Sequence, residues 1–214
     1  MVSVTSISAT SFSLRFNKEE KHWFDKTIQK YVDLTEVILS DSDSLQRWQL
    51  RSDSVSDNLS CVYDIIKCQD KTYVVSEYVK GQPLSSLHLT NDFFWIMARD
   101  LICGLKELHD KKISHGDISP NNVIVDMEDL KFVLVNDRGL KSQQEDINDL
   151  GWLMLSVYRN WDDTTLAEAK SHTNKVQPFA NGNQIERFIT LLIKSVPEHR
   201  LNIHEASKFV EYYL

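Results

Sequence analysis

Glycine is scarce in this chain, with six in 214 residues, and none precedes Gly81. A backbone that must approach phosphates closely needs glycine, so no glycine loop of the phosphate-covering kind is expected before that residue. No Walker loop and no Gly-x-Ser-x-Gly elbow occurs. The three cysteines, Cys61, Cys68 and Cys103, form no Cys-x-x-Cys pair; an odd, scattered set argues against a disulfide framework and suits core packing in a reducing compartment. The histidines show no His-x-x-x-His or Cys-His spacing, which leaves no zinc-type ligand pattern. No apolar run approaches the roughly 18 residues of a membrane span, and Met1 to Ser13 has neither the charged start nor the apolar block of a secretory leader. Positive charge is in deficit as well, with 24 Lys and Arg against 31 Asp and Glu, for a net charge of -7. Nucleic-acid binding would call for a basic stripe, and none is present. The five tryptophans are spread along the chain and read as packing anchors, not as a stacking platform for bases.

With 42% apolar residues the chain has enough material for a real core. A folded intracellular protein, cytoplasmic or nuclear, is expected.

The richest stretch of chemical groups is His115-Gly116-Asp117-Ile118-Ser119-Pro120-Asn121-Asn122-Val123-Ile124-Val125-Asp126, followed by an apolar run from Lys131 to Asn136 and then Asp137-Arg138-Gly139. Phosphoryl transfer needs a carboxylate to orient a hydroxyl, an amide oxygen to hold a metal and a second carboxylate to bridge metal and phosphates. Asp117, Asn122 and Asp137 supply those groups in that order. Two hairpin strands, joined by a turn over Asp126 to Asp129, would carry Asn122 and Asp137 to the same end.

These residues resemble the catalytic loop and metal-binding segment of the eukaryotic-type protein kinases, whose pattern is His-Arg-Asp-Leu-x-x-x-x-Asn and then Asp-Phe-Gly. The His-Gly-Asp opening with Ser-Pro is also similar to small-molecule phosphotransferases of the aminoglycoside type. Asp146-Ile-Asn-Asp-Leu-Gly151 resembles the buried helix opening of protein kinases and favours them. The resemblance gives Asp146 a structural task, accepting backbone hydrogen bonds from the catalytic loop. Glu198-His199-Arg200 resembles the end of the kinase domain, where the arginine forms a structural ion pair. Tyr73 to Leu84 resembles the fifth strand and hinge, whose backbone holds adenine; Glu77 and Val79 are the implied contacts.

The elements are read as follows. Met1 to Phe16 alternate weakly and suggest short strands. Trp23, Phe24, Ile28, Tyr31, Val32, Thr35 and Ile38 recur at three and four, which predicts a helix from about Lys18 to Leu39 with Asn17 as cap. Strands follow over Asn58 to Lys67 and Lys71 to Val79, joined at Gln69-Asp70. An amphipathic helix spans Asn91 to Asp110. A polar connector runs from Thr164 to Asn183, and a further helix from Gln184 to Val196.

The expected fold class is α+β, a two-lobe protein-kinase-like fold. A truncated N-terminal lobe would occupy residues 1–80 and a mainly helical C-terminal lobe residues 81–214.

The pattern also breaks. The glycine-rich flap is missing. If Phe12 to Phe16 were the third strand, Arg15 would stand where kinases place a lysine, with Glu36 as its helix partner; Lys18, Lys21 and Lys26 are substitutes. Arg138 replaces an apolar plug and puts a cation beside Asp137. Only Leu140 to Glu145 separate Gly139 from Asp146, too few for a regulated activation segment.

Two functions are implied. One is an ATP- and magnesium-dependent phosphotransferase acting on a Ser/Thr-type hydroxyl, with Asp117 catalytic, Asn122 and Asp137 on the metal, and Arg15, Glu36, Glu77 and Val79 around the nucleotide. The other is a pseudokinase that binds a protein partner, a true kinase among the candidates. Neither involves nucleic acid or a membrane span.

Overall fold

The computed structural model describes residues 3–20, 22–39, 42–139, 141–171, 182–194 and 196–214. Lys21, Leu140, His172 and much of the connector read over Thr164 to Asn183 lie outside them. The chain forms two compact units, Met1–Val79 and Lys80–Leu214, and its strands and helices give the expected α+β class.

The first unit is a six-stranded sheet with a helix on each face. Its strands are β1 (Val4–Ile7), β2 (Phe16–Glu19), β3 (His22–Asp25), β4 (Lys30–Val37), β5 (Val62–Cys68) and β6 (Lys71–Glu77), in the spatial order β1-β5-β6-β4-β3-β2. All neighbours pair antiparallel except β1, which runs parallel to β5 at one edge. The central strands carry consecutive buried pairs, Ile65-Ile66 and Val74-Val75. Successive strand residues point to opposite faces, so such pairs require cover on both. Ile66, Val75, Val32 and Phe16 pack with Phe12 of α1 (Ala9–Arg15); Ile65, Val74 and Val62 pack with Trp48 of α2 (Ser42–Ser52).

Two expectations fail here, each for its own local reason. The helix read from Lys18 to Leu39 is three strands, β2, β3 and β4. Glu20 (φ 50°) and Gln29 (φ 55°) take left-handed conformations in the intervening turns, and Asp25 fixes the second turn by accepting from Thr27 N at 2.8 Å. Two tight turns reset a period of two, and the concatenated pattern mimics a period of 3.6. Conversely, the strand read over Phe12 to Phe16 is mostly α1, started by Ser8, whose side chain accepts from Ser11 N. β2 and β3 therefore form a hairpin, and its sequence contains no glycine.

In the second unit β7 (Gln82–Pro83), β8 (Val123–Asp126) and β9 (Lys131–Leu134) form a small antiparallel sheet. The helices are α3 (Phe94–Asp110), α4 (Gln143–Arg159), α5 (Asp163–Ser171), α6 (Gln184–Leu192) and α7 (Ile203–Glu211). Three of them open with reciprocal capping boxes, Ser142/Glu145, Asn183/Glu186 and Asn202/Glu205, each satisfying two otherwise orphaned backbone donors. Trp152, Leu153, Met154 and Leu155 are all buried, which makes α4 the central helix. Trp95, Phe188, Phe209 and Tyr213 form an aromatic cluster across α3, α6 and α7, with ring centroids 4.9–5.7 Å apart for Phe188–Phe209, Trp95–Tyr213 and Trp95–Phe188.

Candidate functional site

α3 ends where Lys112 turns left-handed (φ 62°) and the amides of Lys112 and Ile113 donate back to His109 O and Leu108 O. The chain then runs buried through Ile113, Ser114 and His115. Gly116 has φ 80°, a conformation that a side chain would strain, and it turns the loop so that Asp117 emerges.

The loop is anchored by one carboxylate. Asp146, fully buried in the first turn of α4, accepts from His115 N (2.7 Å), Gly116 N (2.8 Å) and His109 Nε2 (2.9 Å). On its other side the His115 carbonyl accepts from Arg138 N (2.7 Å) and Gly139 N (2.8 Å). His115 thus ties three segments together through its backbone.

Asn122 links the loop to the hairpin. Its Nδ2 donates to Asp117 O at 3.0 Å, its Oδ1 accepts from Asn136 Nδ2 at 3.2 Å, and its carbonyl accepts from Val135 N at 3.0 Å. Antiparallel pairing of Val123 with Leu134 then brings Asp137, 7% exposed, to the same end of the hairpin as Asn122. The second unit therefore gathers Asp117, Asn122 and Asp137 around one loop. An amide oxygen and a carboxylate are hard donors; magnesium is commonly held by one or two such groups with phosphates and water completing its shell. Among the described residues no group of three or more His, Cys, Asp or Glu could hold a metal by itself. The donors present fit an ion shared with a nucleotide, not an all-protein site.

Residues 9–158 match the protein kinase domain family. The chain belongs to the protein kinase family. It is 38% identical over 80 residues to a calcium/calmodulin-dependent protein kinase kinase of Caenorhabditis elegans, which covers 36% of this chain and 14% of the relative. It is 33% identical over 102 residues to the ovarian-specific serine/threonine-protein kinase Lok of Drosophila melanogaster, covering 42% and 21%. Mitogen-activated protein kinase 4 of Mus musculus is 24% identical over 188 residues, covering 78% and 32%. The matches thus span a third or less of these relatives' own length.

The first unit of this kinase-family chain disposes of the remaining expected site residues differently. Arg15 does not meet Glu36. Its guanidinium forks onto buried Asp25, with Nε at 3.0 Å and Nη2 at 2.8 Å from Oδ2, and its Nη1 lies 2.6 Å from Asp64 Oδ2. Burial opposes its charge, yet the hydrogen bonds and attraction of the two carboxylates together raise its pKa above the ordinary value. Glu36 sits on β4, not on a helix, and pairs at 2.7 Å with Lys71 on the surface. Lys18 lies over the Trp23 ring and Lys30 over Tyr63. Lys26 is exposed. Glu77 Oε2 accepts from Cys61 N at 3.1 Å, so its side chain buttresses the sheet, while Val79 follows β6 as the last residue of the unit.

Sequence reasoning missed Asp25 and Asp64, the partners of Arg15. Asp64 lies 49 positions from Arg15, and no local signal connects them. The Arg138 cation, next to Asp137 in the chain, also lies with its Nε 3.1 Å from Asp117 Oδ2. Arg200 donates from Nε to Lys194 O (2.6 Å) and from Nη1 to Gln144 O (3.0 Å).

Proposed function

We propose that this kinase-family chain acts chiefly by binding another polypeptide, a true kinase among the candidates, and not by phosphoryl transfer. The observation that carries this reading is that Arg15, the cation the sequence offered as a phosphate clamp, ends α1 instead of standing on a strand and is engaged by Asp25 and Asp64. A phosphate clamp is a cation held ready for the ligand; here the arginine already completes an internal network. The surroundings support the same conclusion. β4 carries Asp33 and Glu36 and a single cation, Lys30, at its first position. At the flap turn, exposed Glu19 and Glu20 present negative charge where the family's glycine loop would receive phosphates.

A second reading, an ATP- and magnesium-dependent transferase to a Ser/Thr-type hydroxyl, is favoured by the gathering of Asp117, Asn122 and Asp137. Under it Asp117 would orient the acceptor hydroxyl, and the backbone at Glu77 and Val79 would face adenine. Asn122 and Asp137 would hold a magnesium ion, which when bound neutralises phosphate charge.

Thermal unfolding with ATP and magnesium, alongside radiolabel transfer from ATP, separates the two. A nucleotide present at about a thousand times its Kd would stabilise the chain by about 4 kcal/mol. The binding reading expects no such rise in Tm and no transfer. A rise in Tm with transfer that Asp117→Ala abolishes would establish the second reading.

A further inference from the structure

Arg15 and Asp149 are opposite cases of unequal charge. At Arg15 one guanidinium meets two carboxylates; at Asp149 one carboxylate meets two ammonium groups. Lys141 Nζ lies 2.6 Å from Asp149 Oδ2, and Lys170 Nζ lies 3.0 Å from Asp149 Oδ1. Three parts of the second unit bring these groups together. Asp149 is buried in the second turn of α4, Lys170 stands in the last turn of α5, and Lys141 follows the Asp137-Arg138-Gly139 segment. Ser114 Oγ, from the stretch that leads to Asp117, donates to Lys141 O at 2.5 Å and fixes the backbone there.

The surplus of positive charge is local, in a chain whose net charge is -7. Two other carboxylates act on Lys141, and both are taken up elsewhere. Asp117 is paired with Arg138, while Glu145 accepts from the Ser142 amide and hydroxyl and acts also on Arg200. Asp149 is left to balance two cations. An ammonium group has three donors, and among the described residues each lysine uses one, on Asp149. The lysine side chains are 40% and 35% exposed against 12% for the carboxylate, so the remaining donors face an approaching anion. Burial opposes the Lys141 charge, but the bond to Asp149 and the nearby carboxylates raise its pKa above the ordinary value, and it stays protonated at neutral pH. A phosphomonoester, with about two negative charges and three acceptor oxygens, can bridge two ammonium groups that already share a carboxylate. A free carboxylate brings half that charge.

We propose that Lys141 and Lys170, held side by side by Asp149, form a recognition site for a phosphorylated serine or threonine of a partner polypeptide. The proposal rests on the reading that the chain binds a polypeptide, and it makes the partner's phosphorylation state part of recognition. The phosphate oxygens accept from both ammonium groups on their exposed side, and Asp149 offsets the repulsion between the two cations when the site is empty.

The test is fluorescence polarisation of the full chain with fluorescein-labelled pools of short peptides. Each pool has a central phosphoserine or phosphothreonine between randomised positions, and is matched by a pool with unmodified Ser or Thr. A phosphorylated pool should bind saturably, at least about tenfold more tightly than its unmodified counterpart. Lys141→Ala and Lys170→Ala should each weaken that binding at least about fivefold. The double variant Lys141→Gln with Lys170→Gln keeps amide donors for Asp149 while removing both charges, and should bind the two kinds of pool equally. Lys208→Ala removes the same charge from an exposed position on α7 and should leave binding unchanged. Absence of a preference for phosphorylated pools, a preference that the Lys141 and Lys170 variants retain, or one that Lys208→Ala also removes would overturn the site. Radiolabel transfer from ATP to the unmodified pools would remove the binding-only reading and leave the phosphate site standing.

Discussion

Arg138 Nε lies 3.1 Å from Asp117 Oδ2, so the carboxylate that would orient an acceptor hydroxyl already faces a cation from the Asp137-Arg138-Gly139 segment. The two side chains are 68% and 32% exposed, and exposed pairs contribute about 0–1 kcal/mol. Arg138→Ala should therefore leave urea-unfolding stability within about 1 kcal/mol of wild type. A larger loss would show that the pair holds the loop together.

Arg15 is expected to behave as a structural residue. Arg15→Ala leaves the carboxylate of Asp25, fully buried, without its forked partner, and breaking a buried pair costs about 3–5 kcal/mol. Urea unfolding of the variant should show a loss of that size, with or without nucleotide. A change below about 1 kcal/mol, the worth of a surface pair, would mean that Arg15 is available for another role.

Removal of the Asp146 carboxylate orphans the amides of His115 and Gly116 and the His109 ring at once. An orphaned buried donor costs about 1–3 kcal/mol. Asp146→Ala should therefore unfold at a clearly lower temperature, and hydrogen exchange should quicken at His115 and Gly116. Unaltered exchange there would refute the anchoring role.

Asp33 gives a dependence on pH. Desolvation by burial raises its pKa above the ordinary carboxylate value, an effect that nearby His22 partly offsets. The folded state then holds its proton more tightly than the unfolded chain. Its ionisation penalises folding at every pH above the folded pKa, and the penalty disappears as pH falls through that value to the unfolded one. Asp33→Asn should be more stable than wild type at pH 7, with the advantage vanishing in acid. Parallel stability curves for the two proteins across that range would contradict this.

Local signals carried much of the second unit. The loop from His115 to Asn122 lies within a short stretch whose meaning depends on spacing, and the resemblance to protein kinases gave Asp146 its anchoring task; the Ser-Gln-Gln-Glu box that opens α4 is local too, though only the structure drew attention to it. A capping box or a loop with polar groups five positions apart is specified by neighbours in sequence, so it can be read without knowing the fold.

The first unit is different because its pairings are not local. Whether Lys18 to Leu39 formed one helix or three strands depended on left-handed turns at Glu20 and Gln29, residue types that do not announce such turns as glycine does. Those strands are held by partners elsewhere in the sheet, β4 against β6 above all. The sequence by itself determined the kinase-type loop and the charges available to it. Tertiary structure alone decided which charges met: Arg15 with Asp25 and Asp64, Glu36 with Lys71, and Arg138 with Asp117. Ion-pair energy depends on distance and burial, and both are fixed only when the strands and loops have found their places.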